Sequence, residues 1–184
     1  MRAPKTFDWP HNVPGRMRAG MQGQDFVTVL DHKNLPGTSL SKIIILMRQR
    51  KVSNVHVHHA TDVYVDVLEG TARGALTLAG DDLEHVVWTG RYQSLWLPPG
   101  VPHVAVYPGP VGGQTAEPIP DLLALETRTS SVADADIHAC PGYGPLLTRR
   151  LEELGLIDRV DPSAAMLGLE EQPESSCFPT RPER

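Results

Sequence analysis

The chain has 184 residues, of which 40% are hydrophobic and 21% are charged, a length and balance that fit one globular domain with extensions. Its net charge of −5 gives no general attraction to nucleic acid or to anionic membranes. No apolar run approaches the roughly 18 residues that a membrane-spanning helix needs. Two cysteines, Cys140 and Cys177, are too few for a disulfide scaffold, and the N-terminus lacks the apolar region of a signal peptide. We therefore expect a cytoplasmic protein with no nucleic-acid and no membrane partner.

The first 24 residues predict an irregular N-terminal arm, because prolines and glycines interrupt them repeatedly. Two strands are predicted next, at residues 25–30 and 40–49. The second has a β-branched, apolar centre, Ile43-Ile44-Ile45, which is typical of a central strand.

Short alternating segments separated by turn signals fill the middle of the chain. They predict strands at residues 63–68, 72–78, 83–88, 92–97, 103–107 and 121–127. No helical periodicity interrupts them, so a parallel α/β sheet is disfavoured. The pattern predicts an all-β sandwich or barrel.

The C-terminal region differs in character from the strands before it. Leu147, Leu151 and Leu154 follow helical spacing, which predicts a helix over residues 145–154, and a second short helix is predicted over 162–170. Both are expected on the outside of the barrel. The predicted organisation is an arm at 1–24, a barrel at 25–130, a helical extension at 131–171 and a disordered tail at 172–184.

Histidines occur in two of the strand-like segments. His56 and His58 are two residues apart, so on a strand both side chains point to the same face. His103 follows a turn at Pro98-Pro99-Gly100 and begins another strand. Three imidazoles can bind one metal ion and leave coordination positions open for water or substrate. Imidazole suits iron, nickel, copper and zinc alike, so the histidines do not select the metal.

These two segments resemble the two motifs of the cupin superfamily. The matching residues are His56, His58 and Gly70 in the first motif and Pro98, Gly100 and His103 in the second. The resemblance implies a double-stranded β-helix, that is, a jelly-roll barrel. It also implies one divalent metal ion on His56, His58 and His103, with Fe(II) first and Zn, Ni or Mn as alternatives, and a small-molecule substrate.

One ligand position departs from the motif. The glutamate that the family carries there falls on Val63, which cannot bind a metal. The neighbouring Asp62 is the alternative ligand, but strand phase turns it outward, since Val63, Val65 and Val67 form the apolar face. A bulge at the start of the strand would turn Asp62 inward. Strand phase therefore favours a metal bound by three histidines with open coordination positions. A fourth ligand, Asp62, remains the alternative.

Other residues are candidates by position alone. Tyr107 shares the strand phase of His103, so its hydroxyl is a candidate catalytic group facing the interior. The candidate substrate-binding residues are Val63, Gln93, Trp96 and Glu126. Gln93 and Trp96 lie on opposite faces of their strand, so at most one of them lines the cavity directly.

Three functions compete at this point. The first is an Fe(II) dioxygenase-type oxidoreductase, because the three-histidine set resembles that of thiol and diketone dioxygenases among cupins. The second is a non-redox lyase, cyclase or isomerase that uses Zn, Ni or Mn. The third is a cupin that binds a small molecule without catalysis.

A homodimer is also predicted. Phe7 and Trp9 lie among prolines in an arm too irregular to fold by itself, and a partner subunit is a natural place to bury them. The apolar strand at 40–49 would be an aggregation risk if it were left as an exposed edge.

Overall fold

The computed structural model of the chain describes residues 18–19, 24–109, 120–131 and 136–161. Most of the predicted arm, the predicted helix at 162–170 and the predicted tail lie outside these residues. The described residues form two antiparallel sheets that face each other and a helix that packs on one of them. This is the all-β double-stranded β-helix that the sequence predicts.

The first sheet has six strands in the order β1-β2-β3-β11-β6-β9. Their bounds are β1 Arg18–Ala19, β2 Asp25–Leu30, β3 Ser41–Met47, β6 Val63–Glu69, β9 Ser94–Leu97 and β11 Leu122–Arg128. Because β3 pairs with β2 on one side and with β11 on the other, the prediction of a central strand is confirmed. The apolar strand is therefore not an exposed edge, and the aggregation risk that would follow from one does not arise at β3.

The second sheet has the order β12-β5-β10-β7-β8, and β4 also pairs with β10. Its strands are β4 Lys51–Val52, β5 His56–Val57, β7 Ala75–Ala79, β8 His85–Thr89, β10 His103–Tyr107 and β12 His138–Ala139. The strand β12 belongs to the segment predicted as a helical extension. That segment therefore also contributes to the barrel sheet.

Several strands begin later than their apolar patterns predict, and in β7 and β8 the cause is turn geometry that takes up the first residues. The strand predicted from residue 72 starts at Ala75, since the Gly74 amide donates a hydrogen bond to the Thr71 carbonyl at 2.9 Å and closes a turn. The strand predicted from residue 83 starts at His85, since Leu83 has φ +50° and donates its amide to the Gly80 carbonyl. A local hydrogen bond thus decides each boundary.

The second sheet is covered on both faces. One face looks into the barrel, and the other packs on helix α1, Gly144–Glu153. The largest buried cluster lies at this outer contact, where Leu147 and Leu151 of α1 meet Leu76, Leu78 and Val104 of the sheet. The prediction of a helix on the outside of the barrel is confirmed for α1.

A smaller apolar cluster fills one end of the barrel interior. It consists of Met47, Val67, Ala75, Tyr107 and Leu122, all less than a tenth exposed. Alternate residues of the facing strands supply it, as period-2 patterning requires. Met47, Val67, Ala75 and Leu122 of this cluster also line a cavity that extends to His56 and His103.

None of the helices in the described part of the chain is long and apolar enough to cross a membrane.

Candidate metal centre

Strand pairing brings the three histidines together. His56 of β5 lies directly opposite His103 of β10 in the antiparallel register. His58 follows β5 by one residue, and its carbonyl accepts a hydrogen bond from the Gly100 amide at 2.6 Å. The two motifs are therefore joined by backbone contacts on both sides of the site.

The turn that delivers His103 depends on a glycine. Gly100 has φ +79°, a conformation that side chains with a Cβ rarely adopt, while the space around its Cα is open. Backbone conformation rather than crowding therefore favours glycine here. The sequence Pro98-Pro99-Gly100 is suited to such a turn.

The three rings form a compact group. The ring centroids of His56 and His103 are 4.3 Å apart, those of His56 and His58 5.2 Å, and those of His58 and His103 5.5 Å. Each ring offers one nitrogen, and these nitrogens all lie within 4.8 Å of one another. Two nitrogens bound to one metal at about 2.1 Å are at most about 4.2 Å apart, so small side-chain rotations suffice for binding.

Hydrogen bonds to the backbone orient two of the rings. Nδ1 of His56 lies 2.9 Å from the Asn54 carbonyl, and Nδ1 of His103 lies 2.9 Å from the Val101 carbonyl. A carbonyl accepts only, so each Nδ1 carries the proton and each Nε2 keeps its lone pair. This is the arrangement by which protein carbonyls prepare histidines for a metal.

His58 differs from the other two ligand candidates. Its Nδ1 is buried and has no hydrogen-bond partner within the part of the chain that the structure describes. A buried polar atom without a partner costs free energy, and a metal ion or a bound molecule is the kind of partner that would remove this cost. The donor set and this orphaned nitrogen both fit a metal ion.

Burial keeps the imidazoles neutral. Desolvation is the main cause that lowers the pKa of His58 to about 3, and the positive charge of Arg128 lowers it further. Desolvation also lowers the pKa of His56 well below its usual value, with His103 as the next cause. The pKa of His103 is lowered as well, again chiefly by burial. Neutral imidazole is the form that binds metals.

A cavity of about 60 Å³ opens beside the histidines, between the two sheets. His56 and His103 line it, and aliphatic side chains make most of the remaining wall. Its described lining is Gln24, Ile45, Met47, His56, Val65, Val67, Ala75, Thr77, Thr89, Leu95, Leu97, His103, Ala105, Leu122, Ala124 and Glu126. The volume has room for several water molecules or a compact organic group.

Of the other candidates, the structure brings only Glu126 to the cavity wall. Asp62 accepts a hydrogen bond from Trp96 Nε1 at 2.8 Å, outside the group of three histidines. This is the outward direction that strand phase favours. Val63 is 1% exposed and shares a strand face with Val65 and Val67, although it is not part of the described cavity lining.

Three further candidates lie elsewhere. Trp96 is 56% exposed, and Gln93 is exposed and accepts a hydrogen bond from the Gly90 amide, so neither lines the cavity. Tyr107 faces the interior as predicted, but its hydroxyl donates to the Pro120 carbonyl at 2.7 Å and accepts from the Thr71 amide at 3.3 Å. These contacts fix the closed end of the barrel.

Sequence reasoning overlooked Arg128. This side chain is 3% exposed and forms an ion pair with Glu126, two residues before it on β11. The spacing of Glu126 and Arg128 could have indicated this pair, since residues i and i+2 of a strand share one face. A charged residue at the end of an apolar strand is, however, more often solvated than buried.

The comparisons with known proteins agree with this fold. No family model matches the chain, and no curated protein matches it. Among solved structures, a conserved protein with a double-stranded β-helix domain from Klebsiella pneumoniae has 16% identity and a TM-score of 0.51, over 76% of this chain and 97% of that one. An oxalate decarboxylase mutant from Bacillus subtilis has 11% identity and a TM-score of 0.54, over 87% of this chain and 42% of that one. The Streptomyces protein Pac13, described as a nucleoside dehydratase, has 9% identity and a TM-score of 0.51, over 74% and 92%.

At these identities the likeness concerns the fold. In this chain the two histidine motifs lie on paired neighbouring strands, β5 and β10 of the second sheet. The chain has the double-stranded β-helix fold of these structures, and its two histidine motifs resemble those of the cupin superfamily.

Proposed function

We propose that the chain is a cupin and a metal-dependent enzyme that acts on a small organic molecule at His56, His58 and His103. The observation that carries the proposal is the convergence of three buried, neutral imidazoles, two of which line a cavity inside the barrel. Three protein ligands leave positions open on a metal, which catalysis requires and a purely structural site does not.

The residues divide the work in a simple way. The Asn54 and Val101 carbonyls hold His56 and His103 with their Nε2 atoms toward the common centre. The aliphatic wall binds the apolar part of a substrate and limits its hydration. A bound divalent metal would supply Lewis-acid chemistry, or activation of oxygen if it is Fe(II).

Within this class, we propose an Fe(II) dioxygenase-type oxidoreductase as the first candidate. Its support is a ligand set made only of imidazoles, which suits Fe(II) but equally suits Zn and Ni. A non-redox lyase, cyclase or isomerase is the alternative. The fold of this chain is similar to that of Pac13, which is described as a nucleoside dehydratase, and this likeness favours the non-redox alternative.

Metal analysis of the protein purified without added metal is the first test. We expect about one divalent ion per chain. His56→Ala, His58→Ala and His103→Ala should each weaken metal binding by on the order of 100-fold or more, since loss of a mere supporting hydrogen bond costs 10–100-fold. His85→Ala is the matched control, because His85 is exposed on strand β8 and is not a candidate ligand. This variant should keep the metal. Full occupancy in all three site variants would refute the site.

Oxygen uptake separates the candidate reactions. Protein reconstituted with Fe(II) or with Zn(II) is mixed with a panel of small diketones, thiols and hydroxy acids. Oxygen consumption with Fe(II) alone supports the dioxygenase, whereas turnover with either metal and no oxygen uptake supports the non-redox enzyme. Tight binding of a compound without any turnover indicates the third function, a binding protein.

We further propose that the chain is a cytoplasmic homodimer. The low cysteine content supports the location. Exposed aromatic surface supports the dimer: Tyr64 of β6 and Trp96 of β9 face each other across the strand pair and are 43% and 56% exposed.

A further inference from the structure

A buried ion pair lies beside the metal centre and has no part in the set of three histidines. Arg128 Nε donates to Glu126 Oε1, and the two residues are 3% and 7% exposed. Removal of two charges from water carries a large desolvation cost, so a buried pair is weak evidence for stability. Because the carboxylate of this ion pair lines the cavity, we consider a function in binding there.

The first motif supplies no carboxylate to the cavity, and the carboxylate of this pair is in its wall. The glutamate of the motif falls on Val63, and Asp62 is bonded to Trp96 on the outside. On the neighbouring strand β11, Glu126 lies opposite Val65, and both residues line the cavity. In the described lining, Glu126 is the one carboxylate.

Glu126 lies in the wall of the same cavity as His56 and His103. The negative charge of Glu126 raises the pKa of His103, against the larger effect of burial, and the positive charge of Arg128 lowers the pKa of all three site histidines. Glu126 does not belong to the group of close metal-ligating atoms. Glu126 therefore lines the cavity beside the histidines without being one of the candidate metal ligands, a position that suits contact with a molecule bound in the cavity.

We propose that Glu126 is the hydrogen-bond acceptor that orients the substrate at the metal, and that the substrate is a small, mainly apolar molecule with an O–H or N–H donor beside its metal-binding atom. This inference rests on the proposed metal site. A carboxylate has about four acceptor positions, so its bond to Arg128 leaves others for a bound molecule. Arg128 is a positioning residue that holds the carboxylate in the wall.

The cavity supports this substrate class on three grounds. Its volume of about 60 Å³ restricts the buried part of the substrate to a compact group. Its wall is mostly aliphatic, which favours an apolar body. The negative charge of Glu126 would repel a substrate that carries a carboxylate. The positive charge of Arg128 does not offset this repulsion, because it is already paired with Glu126.

Two small metal chelators that differ in one donor test the role of Glu126. Acetohydroxamic acid and N-methylacetohydroxamic acid bind metals through the same two oxygens, but only the first keeps an N–H. Both are titrated into the full-length protein loaded with Co(II), and affinity is measured from the cobalt absorption spectrum. The quantity of interest is the ratio of the two dissociation constants.

We expect Glu126→Gln to reduce the preference for the N–H compound by about tenfold, the difference between a hydrogen bond to a charged acceptor and one to a neutral acceptor. Cobalt affinity should change little. Asp66→Asn is the matched control, because this carboxylate on β6 is bonded to Ser94 on the outer face. It should leave the ratio unchanged.

The loss of one charge can unfold the chain, so the double variant E126Q/R128M, which removes the whole pair, is measured as well. It should show the same reduced ratio. An unchanged ratio in the cobalt-loaded variants overturns the role of Glu126 and leaves the metal site intact. Failure of the wild-type protein to bind cobalt overturns the metal site and this inference together.

Arg128 is tested by rescue. Arg128→Met should reduce the ratio, and Arg128→Lys, which keeps a cation beside Glu126, should restore most of it. Equal ratios in the wild type and in folded Arg128→Met would make Arg128 merely structural and would overturn its positioning role.

Discussion

At the scale of single residues, two backbone carbonyls decide how the site can work. The carbonyls of Asn54 and Val101 each accept a hydrogen bond from Nδ1 of a histidine. Nε2 of His56 and Nε2 of His103 therefore remain available to bind a metal. The third ring, His58, has an unpartnered Nδ1 within the described residues. Two ligands are thus oriented through Nδ1, whereas the backbone of Asp136 acts on the ring of His58.

The position of Asp62 leads to a simple prediction. Because its carboxylate accepts from Trp96 on the outside of the barrel, Asp62→Asn should leave metal content and metal affinity within about twofold of the wild type. Isothermal titration with Zn(II) checks this. A crystal structure with the Asp62 carboxylate at about 2.0–2.2 Å from a metal would instead establish the four-ligand site.

The histidines also predict a pH dependence of stability for the metal-free protein. Their folded-state pKa values lie below the unfolded value, so the unfolded chain binds more protons between the two. Stability is therefore full above about pH 6.5 and falls as the pH drops toward 3. The slope is about 1.4 kcal/mol per pH unit for each fully buried histidine.

Urea denaturation of the metal-free protein at pH 7, 6, 5 and 4 measures this slope. His58→Gln removes one titrating group and should make the decline shallower. An equally steep decline in the variant would show that other groups cause the acid sensitivity.

At the scale of elements, helix α1 closes the outer face of the second sheet. Leu147 and Leu151 are 4% and 0% exposed, and they pack on strands that carry His103 on their other face. The helix therefore supports the site from behind the sheet. The amphipathic leucine pattern predicted this helix, but not which sheet it covers.

Leu151→Ala should destabilise the protein by about 2–5 kcal/mol, since it opens a cavity in the largest buried cluster. Thermal or urea unfolding measures the change. Arg149→Ala, on the exposed side of the same helix, should change stability by no more than about 0.5 kcal/mol. A small effect of Leu151→Ala would mean that the helix docks weakly.

At the scale of the whole molecule, the barrel leaves edges and exposed apolar side chains. β9 and β8 are edge strands of the two sheets, and Val86 and Val87 of β8 are each 40% exposed. With β3 enclosed, these edges and the exposed Tyr64 and Trp96 are the described surfaces that suit a partner subunit.

Light scattering tests the predicted homodimer. We expect about twice the chain mass of 20.1 kDa at micromolar concentration. Deletion of residues 1–24 should lower the mass if the arm is part of the interface, and Trp96→Ser should lower it if the aromatic face is. A mass of one chain for the wild type would establish a monomer.

The sequence by itself determined most of the strands, though not β4 and β12, together with the outward helix and the three histidines. These follow from periodicity, from turn residues and from spacing, which are local properties of the chain. The facing of His56 and His103 was foreseen only through the resemblance to the two motifs.

Only the tertiary structure decided the rest. Which strands are edges depends on long-range pairing, and so does the opposition of His56 and His103 across β5 and β10. The burial of Arg128 with Glu126 depends on what covers the end of β11, which no local pattern encodes. Side-chain contacts between distant segments therefore decided the wall of the cavity, and with it the chemistry that we propose for the substrate.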